Sequence, residues 1–233
     1  MWVYVTAAFW ILERLCRLLH NAISINLPLA RFAFRQPLIS ATATISHGAV
    51  LLSIPFEGHW TAGQYVYVRF MGLEGGFSKT QSHPFSIVNV PRSSEKDPDS
   101  TKEIQLIIRI KQGITLTLAE YVLAHSDSTS LTSSQMMTAI DSTPFPSTCQ
   151  MTVAIEGPYG NAPTPGPEEF RNIILFAGGS GVTHPAAILD ELLTRVQSGE
   201  EVGTESIRLV WAIQHLGSYI LRKPFVLGLM DLV

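Results

Sequence analysis

The chain has 233 residues, enough for one large domain or two small ones. It is 46% hydrophobic and 15% charged, with a mean hydropathy of +0.22, which points to a large core or to contact with lipid. A net charge of -3 and a pI near 6.1 exclude a basic nucleic-acid footprint, so no nucleic-acid partner is expected.

The N-terminus reads "MWVYVTAAFWILERLCRLLHN". Met1 to Leu12 is apolar apart from Thr6, and twelve residues are too few to span a bilayer, which needs about 20. No basic stretch precedes the apolar run, so it is a poor signal peptide. Leu12, Leu15, Cys16 and Leu19 keep helical spacing beside Glu13, Arg14 and Arg17. Two readings follow: the end of a transmembrane helix leaving on the cytoplasmic side, where Arg collects, or an amphipathic helix packed on the domain.

"LISATATISHGAVLLSIPF" holds two short strands broken at His47-Gly48, and Gln64 to Phe70 is an aromatic, Val-rich strand. "MGLEGGFSKTQ" is a Gly-rich loop, Phe85 to Val90 a strand, and "RSSEKDPDS" a solvated loop. "EIQLIIRI" is a strand and Thr115 to Ala124 a helix. Closely spaced strands with turn signals predict an antiparallel barrel. Ser126 to Thr148, rich in Ser and Thr, reads as a linker or surface insertion.

The grammar then changes. "QMTVAIEGPYG" is a strand and turn, "RNIILFAGG" a continuous apolar strand, Pro185 to Val196 a helix, and "SIRLVWAIQ" another apolar strand. Ala187, Ile188, Leu192 and Val196 supply the helix's apolar face. Two strands apolar throughout, joined by a helix, predict a parallel β–α–β unit, and two such strands alone are expected to leave a hydrophobic sheet edge and face uncovered. Cys16 and Cys149 lack the spacing of a zinc site, and a disulfide framework is not expected.

Four stretches carry chemistry. In "ILFAGGSGVTHPAAIL" a buried strand enters Gly178, Gly179, Ser180 and Gly181 and then a helix, where free backbone N–H groups and a partial positive charge suit a phosphate. "IEGPYG" is a rigid turn with Tyr159 as a flat amphipathic side chain. In "IRIKQGITLTL", Gly113 and Thr115 mark a strand-to-helix change, and Arg109 and Lys111 share one strand face. "QSHPFSIVN" is either a plain loop entering a strand or a ligand site. As a site, Phe85 would stack on an aromatic ligand for about 1 kcal/mol beyond its burial, Ser86 would bond a ring nitrogen, and His83 would donate to a phosphate.

In this order, "AGQYVYVRF", "HPFS", "KQGITLTL", "IEGPYG", "AGGSGVTHPAAIL" and "RLVWAIQ" resemble the blocks of the ferric reductase and NADPH oxidase superfamily, most of all fungal ferric-chelate reductases. The resemblance runs from about Tyr4 to Gln214. It implies a β plus α/β fold: a ferredoxin-reductase-like antiparallel FAD-binding barrel over 36–148, with an insertion at 126–148. A truncated Rossmann-like NADPH-binding domain over 149–233 would follow, and residues 1–20 would be the end of a membrane helix. It further implies that Phe85 stacks on the flavin of FAD, that Ser86 bonds near its reactive nitrogen, and that Pro84 belongs to the same block. His83 would face the FAD phosphates, and Gly113 and Thr115 would hold the pyrophosphate. Gly157, Pro158, Gly178, Gly179, Ser180, Gly181 and Thr183 match the NADPH-binding blocks.

The implied function is electron transfer from NADPH through FAD towards haem and Fe(III) chelates, at a membrane, with the domains on its cytoplasmic side. Oxygen as acceptor, or a non-catalytic remnant, are the alternatives. Hydride transfer needs no catalytic acid or base from the chain, and no metal ligands are assigned. The family's haem-binding histidine pairs are missing, and "HLGSYILRKPFVLGLMDLV" does not resemble the family's end. A fragment or a gene model out of frame is therefore expected, and reduction of iron by it is expected to be slow.

Overall fold

The computed structural model describes residues 2–26, 38–46, 48–73, 81–91, 102–126, 147–160 and 164–212. The loop "RSSEKDPDS", nearly all of the insertion before β6, and "HLGSYILRKPFVLGLMDLV" lie outside them.

Six strands form one antiparallel sheet: β1 (Leu38–Ser46), β2 (Ala49–Pro55), β3 (Tyr65–Phe70), β4 (His83–Ser86), β5 (Glu103–Arg109) and β6 (Ser147–Tyr159). Their order is β4-β3-β6-β1-β2-β5. The two end strands meet where Ile87 bridges Leu106 and the Val88 N–H donates to the Gln105 carbonyl at 3.0 Å, closing a barrel. The β1–β2 hairpin turns at Gly48, whose φ of +75° suits glycine.

Alternation explains why these segments are strands. Along β1, Ala41, Ala43 and Ile45 are fully buried while the intervening Thr42 and Thr44 are not. Ile104, Leu106 and Ile108 do the same along β5. Each buried Ile or Leu among these contributes about 1.5–3 kcal/mol, and each Ala less than that. Helix α2 (Ile114–His125) plugs one end of the barrel with Leu118, Ala119, Val122 and Leu123.

A short 3-10 turn, Pro167–Glu169, precedes the second unit. There β7 (Asn172–Gly178) pairs in parallel with β8 (Ser206–Ala212), and α3 (Thr183–Gln197) connects them. The predicted β–α–β unit is present. Its helix buries Ala187, Ile188 and Leu192, whereas Val196 is 54% exposed. Among the described residues, one face of the two strands is uncovered. Ile173 and Leu175 turn towards α3, but Ile174 and Phe176 are 58% and 74% exposed, because nothing among the described residues packs on that face.

Two expectations are corrected. The strand "QMTVAIEGPY" does not belong to the nucleotide-binding unit. It is part of β6, which pairs with β1 from Leu38↔Ala154 to Ile45↔Ser147 and with β3 on its other edge. The barrel therefore continues past residue 148, because those backbone groups find their partners in β1 and β3. The N-terminal segment forms helix α1 (Trp2–Asn26), and its described side chains, Trp2, Tyr4, Phe9, Trp10 and Leu15 among them, are all exposed. None of these described side chains is packed on the domain. Among the described residues, no helix is long and apolar enough to cross a membrane.

Candidate functional site

Among the described residues β4 is an edge strand, hydrogen-bonded to β3 over His83 to Ser86. Its register sets Phe85 opposite Val66 and His83 opposite Val68, while Ser86 lies opposite Tyr65 and Pro84 opposite Tyr67. Side chains alternate along a strand, so His83 and Phe85 share one face and Pro84 and Ser86 the other. The structure thus does not set Phe85 and Ser86 on a common face. Phe85 is half-buried, its ring edge-on to Phe70 at 6.3 Å. The His83 Nε2 is buried with no hydrogen-bond partner among the described residues, and burial pushes the ring's pKa down.

The other face carries an aromatic group that the sequence reading missed. Tyr65, Tyr67 and Tyr159 stand with ring centroids 5.7–5.9 Å apart. Alternation within "YVYV" was a usable signal for Tyr65 and Tyr67. Tyr159 joins them because β6 bulges at Gly157, where the register against β3 shifts. Gly157 has φ +121°, and a Cβ there would lie 3.1 Å from the Tyr159 nitrogen, so only glycine fits. A cis bond joins it to Pro158. The Tyr159 hydroxyl donates to Glu156 Oε1 at 2.6 Å, and that bond is the main reason its pKa is pushed up to about 12.

Gly113 begins α2 with φ +73°, and a Cβ there would meet nothing within 4 Å. The Thr115 Oγ1 accepts the Lys111 N–H at 2.9 Å, so this hydroxyl closes the turn. At the end of β7, Gly178 (φ -122°) leads into the 3-10 turn Gly179–Val182 and then α3. Gly178 and Gly181 also face open space. The Thr183 hydroxyl donates to the Ser180 carbonyl at 3.3 Å, and the Trp211 Nε1 donates to the Gly179 carbonyl at 2.9 Å. An Arg109 Nη1 lies 3.6 Å from where a Gly179 Cβ would be. The guanidinium at the end of β5 therefore reaches the glycine turn, bringing two of the four stretches together. Arg109 was seen in the sequence only as one of two cations on a strand face.

These features fit phosphate-bearing cofactors. Three glycines leave room beside backbone at two helix entries, a cation stands next to one of these entries, and a buried imidazole nitrogen lacks a partner among the described residues. A cavity of about 420 Å³ between α3 and β8, lined mainly by Leu189, Leu193, Val196, Ile207 and Leu209, includes none of these groups in its lining.

A closed antiparallel barrel followed by a β–α–β unit entered through a glycine turn defines the ferredoxin-reductase-like class of flavoproteins. Residues 49–163 match the family model of an FAD-binding domain, and residues 170–231 match that of the ferric reductase NAD binding domain. The chain thus carries an FAD-binding domain followed by a ferric reductase NAD binding domain.

It is 25% identical to the "Ferric reductase transmembrane component 5" of Saccharomyces cerevisiae over 99% of this chain and 27% of that protein. It is 25% identical to the "Ferric/cupric reductase transmembrane component 2" of the same yeast, over 99% of this chain and 26% of that protein. It is also 25% identical to the "Probable cell surface ferric reductase kap2" of Aspergillus oryzae, over 91% of this chain and 25% of that protein. The chain spans about a quarter of the length of these relatives. A ferredoxin-NADP+ reductase from Plasmodium falciparum with 2'P-AMP aligns over 84% of this chain and 69% of that chain, at 12% identity and a TM-score of 0.49. The match that runs to residue 231 corrects the expectation that the family likeness ends at Gln214.

Proposed function

We propose that this chain is the flavin-reducing module of a membrane ferric reductase, taking electrons from NADPH and passing them towards haem and Fe(III). FAD, when bound, supplies the chemistry: it accepts a hydride and gives electrons on singly. The observation that carries the reading is Arg109 at the glycine turn, which joins the end of the barrel strand before Gly113 to the entry of α3.

In this reading the backbone beside Gly113 and the N–H of the neutral His83 hold the FAD phosphates. Phe85, braced by Phe70, offers one wall to the flavin ring. Ser86 reaches it from the opposite face of β4, because a flat ring set against the free edge of an edge strand borders both faces. Pro84 adds no N–H and keeps that edge unpaired. Gly178, Gly179, Ser180 and Gly181 hold the NADPH pyrophosphate with backbone N–H groups, Arg109 adds positive charge, and Thr183 fixes the turn. Gly157 and Pro158 shape the bulge that carries Tyr159 beside Ser86's neighbour Tyr65.

The exposed aromatic and aliphatic side chains of α1, with Arg14 beside them, suit the cytoplasmic surface of a membrane. The test is anaerobic stopped-flow. Purified protein should bind FAD with quenching of its fluorescence, and excess NADPH should bleach the bound flavin. FAD that stays fluorescent, or bound flavin that stays oxidised, would sink the reading. Removing residues 2–26 should leave both signals intact while reducing capture on anionic vesicles.

A further inference from the structure

We propose that Asp190 is a positioning residue: its carboxylate docks α3 onto the chain just beyond β4 and so sets the spacing between the two cofactor sites. The inference rests on the function proposed above.

Asp190 is 3% exposed at the middle of α3. A carboxylate is costly to bury without partners. Here Oδ2 accepts the Val90 N–H at 3.0 Å. The surrounding contact is apolar and close-fitting. Ala62 and Val90 from the barrel pack with Ala187, Ile188 and Leu192 from α3. The His184 ring lies 2.9 Å from where a Gly63 Cβ would stand, and Gly63 has φ +86°, so a side chain there is excluded by both strain and contact.

Both ends of this dock lead directly to a cofactor site. Val90 lies four residues past Ser86, and that stretch is bonded at each step. The Ile87 N–H donates to the Gln64 carbonyl and the Val88 N–H to the Gln105 carbonyl, both at 3.0 Å. The Asn89 side chain accepts the Gln105 N–H at 2.9 Å and donates to the Glu103 carbonyl at 2.8 Å. The Trp60 Nε1 donates to the Asn89 carbonyl at 2.8 Å. On the other side, the helix itself carries Asp190 back to Thr183 and the glycine turn, about 10 Å at 1.5 Å per residue. A hydrogen-bonded path thus links Ser86 to Thr183 through one carboxylate. The step it serves moves one hydride, a proton with two electrons, from the nicotinamide carbon to the flavin nitrogen, oxidising NADPH and reducing the flavin. An error of about 1 Å in such a placement costs roughly 100-fold in rate.

The experiment compares the full chain with Asp190→Leu, which keeps the branched shape but cannot accept a hydrogen bond, and Asp190→Asn, whose carbonyl can. Expected for Asp190→Leu are unchanged FAD and NADPH affinities, flavin reduction slowed about 100-fold, and loss of the long-wavelength charge-transfer band when NADP+ meets reduced flavin. Hydrogen exchange should show deprotection of the Val90 amide while β1 and β2 stay protected. Asp190→Asn should restore rate, band and protection. If Asp190→Leu does not fold, Asp190→Ala, which admits a water to the amide, takes its place with the same readouts. Reduction by Asp190→Leu at the wild-type rate, or Asp190→Asn as slow as Asp190→Leu, overturns the proposal. If NADPH fails to reduce the wild-type flavin, the proposed function falls. The dock is then judged by exchange alone, and unchanged Val90 protection in Asp190→Leu overturns it.

Discussion

The Arg69 guanidinium, 2% exposed on β3, meets the Glu156 carboxylate of β6 at 3.5 Å. Arg69 faces two opposed effects. Burial lowers its pKa, and Glu156 raises it by less. Its Nε has no partner among the described residues. A buried cation with one loose partner does not add much net stability, but stranding it costs free energy. Glu156→Ala should destabilise the barrel by about 2 kcal/mol, discounted because the carboxylate is a third exposed. Arg69→Met, which removes the buried charge, should be near neutral or stabilising. Urea unfolding of both variants decides it, and a larger loss for Arg69→Met would contradict the argument.

Glu156 also holds Tyr159. The phenol's folded pKa of about 12 lies above its ordinary value of 10.0, so folding favours the protonated form. The linked stability is complete below pH 10.0 and is lost as pH rises towards about 12. Tyr159→Phe should abolish that alkaline loss. Absorbance at the phenolate band should show one tyrosine fewer titrating late. An unchanged alkaline profile would mean that another group carries the effect.

His83 runs the other way. Its folded pKa lies below the unfolded 6.5, so its contribution is present above pH 6.5 and falls away as pH drops towards the folded value. An FAD phosphate beside the ring would favour the charged form and push the pKa back up. NMR titration of the imidazole should show a low midpoint without FAD and a higher one with it. A midpoint that ignores FAD would remove His83 from the phosphate site.

Gly178 has an ordinary φ of -122°, and a Cβ there would meet nothing within 4 Å. The fold itself therefore does not demand glycine at this position. Gly178→Ala should leave the melting temperature unchanged and weaken NADPH binding about tenfold, or 1.4 kcal/mol, because the backbone can no longer approach the pyrophosphate. Calorimetric titration with NADPH checks it. Unaltered affinity would place the nucleotide elsewhere.

Much of this was legible where the deciding interactions are local. Alternation in "ATATI" and "IQLII" marks which residues enter the barrel core, and the apolar run before Gly178 marks a parallel strand. The sheet membership of β6 was not legible, because its partners lie about 110 residues away, as in the Ser40 bond to Gln150. Tyr65, Tyr67 and Tyr159 converge only through that same distant pairing and the bulge at Gly157. Asp190 gave no signal at all. An acidic residue in "AAILDELL" reads as a solvated helix position, and only the arrival of Val90 makes it buried. Arg109 shows the same limit: its strand face was readable, but its reach to Gly179 was not.

The Trp211 bond to the Gly179 carbonyl has an optical consequence. The indole is anchored to the turn assigned to the pyrophosphate, so its emission reports on that turn's electrostatics. Reduced nicotinamide absorbs where tryptophan emits, whereas the oxidised form does not, so the two redox forms of the coenzyme would quench this indole unequally. Trp2 and Trp10 are exposed on α1 and Trp60 is sealed in the barrel, so the half-buried Trp211 can be isolated spectrally by replacing the other three with Phe. The protein thus carries its own fluorophore for following coenzyme occupancy without a label.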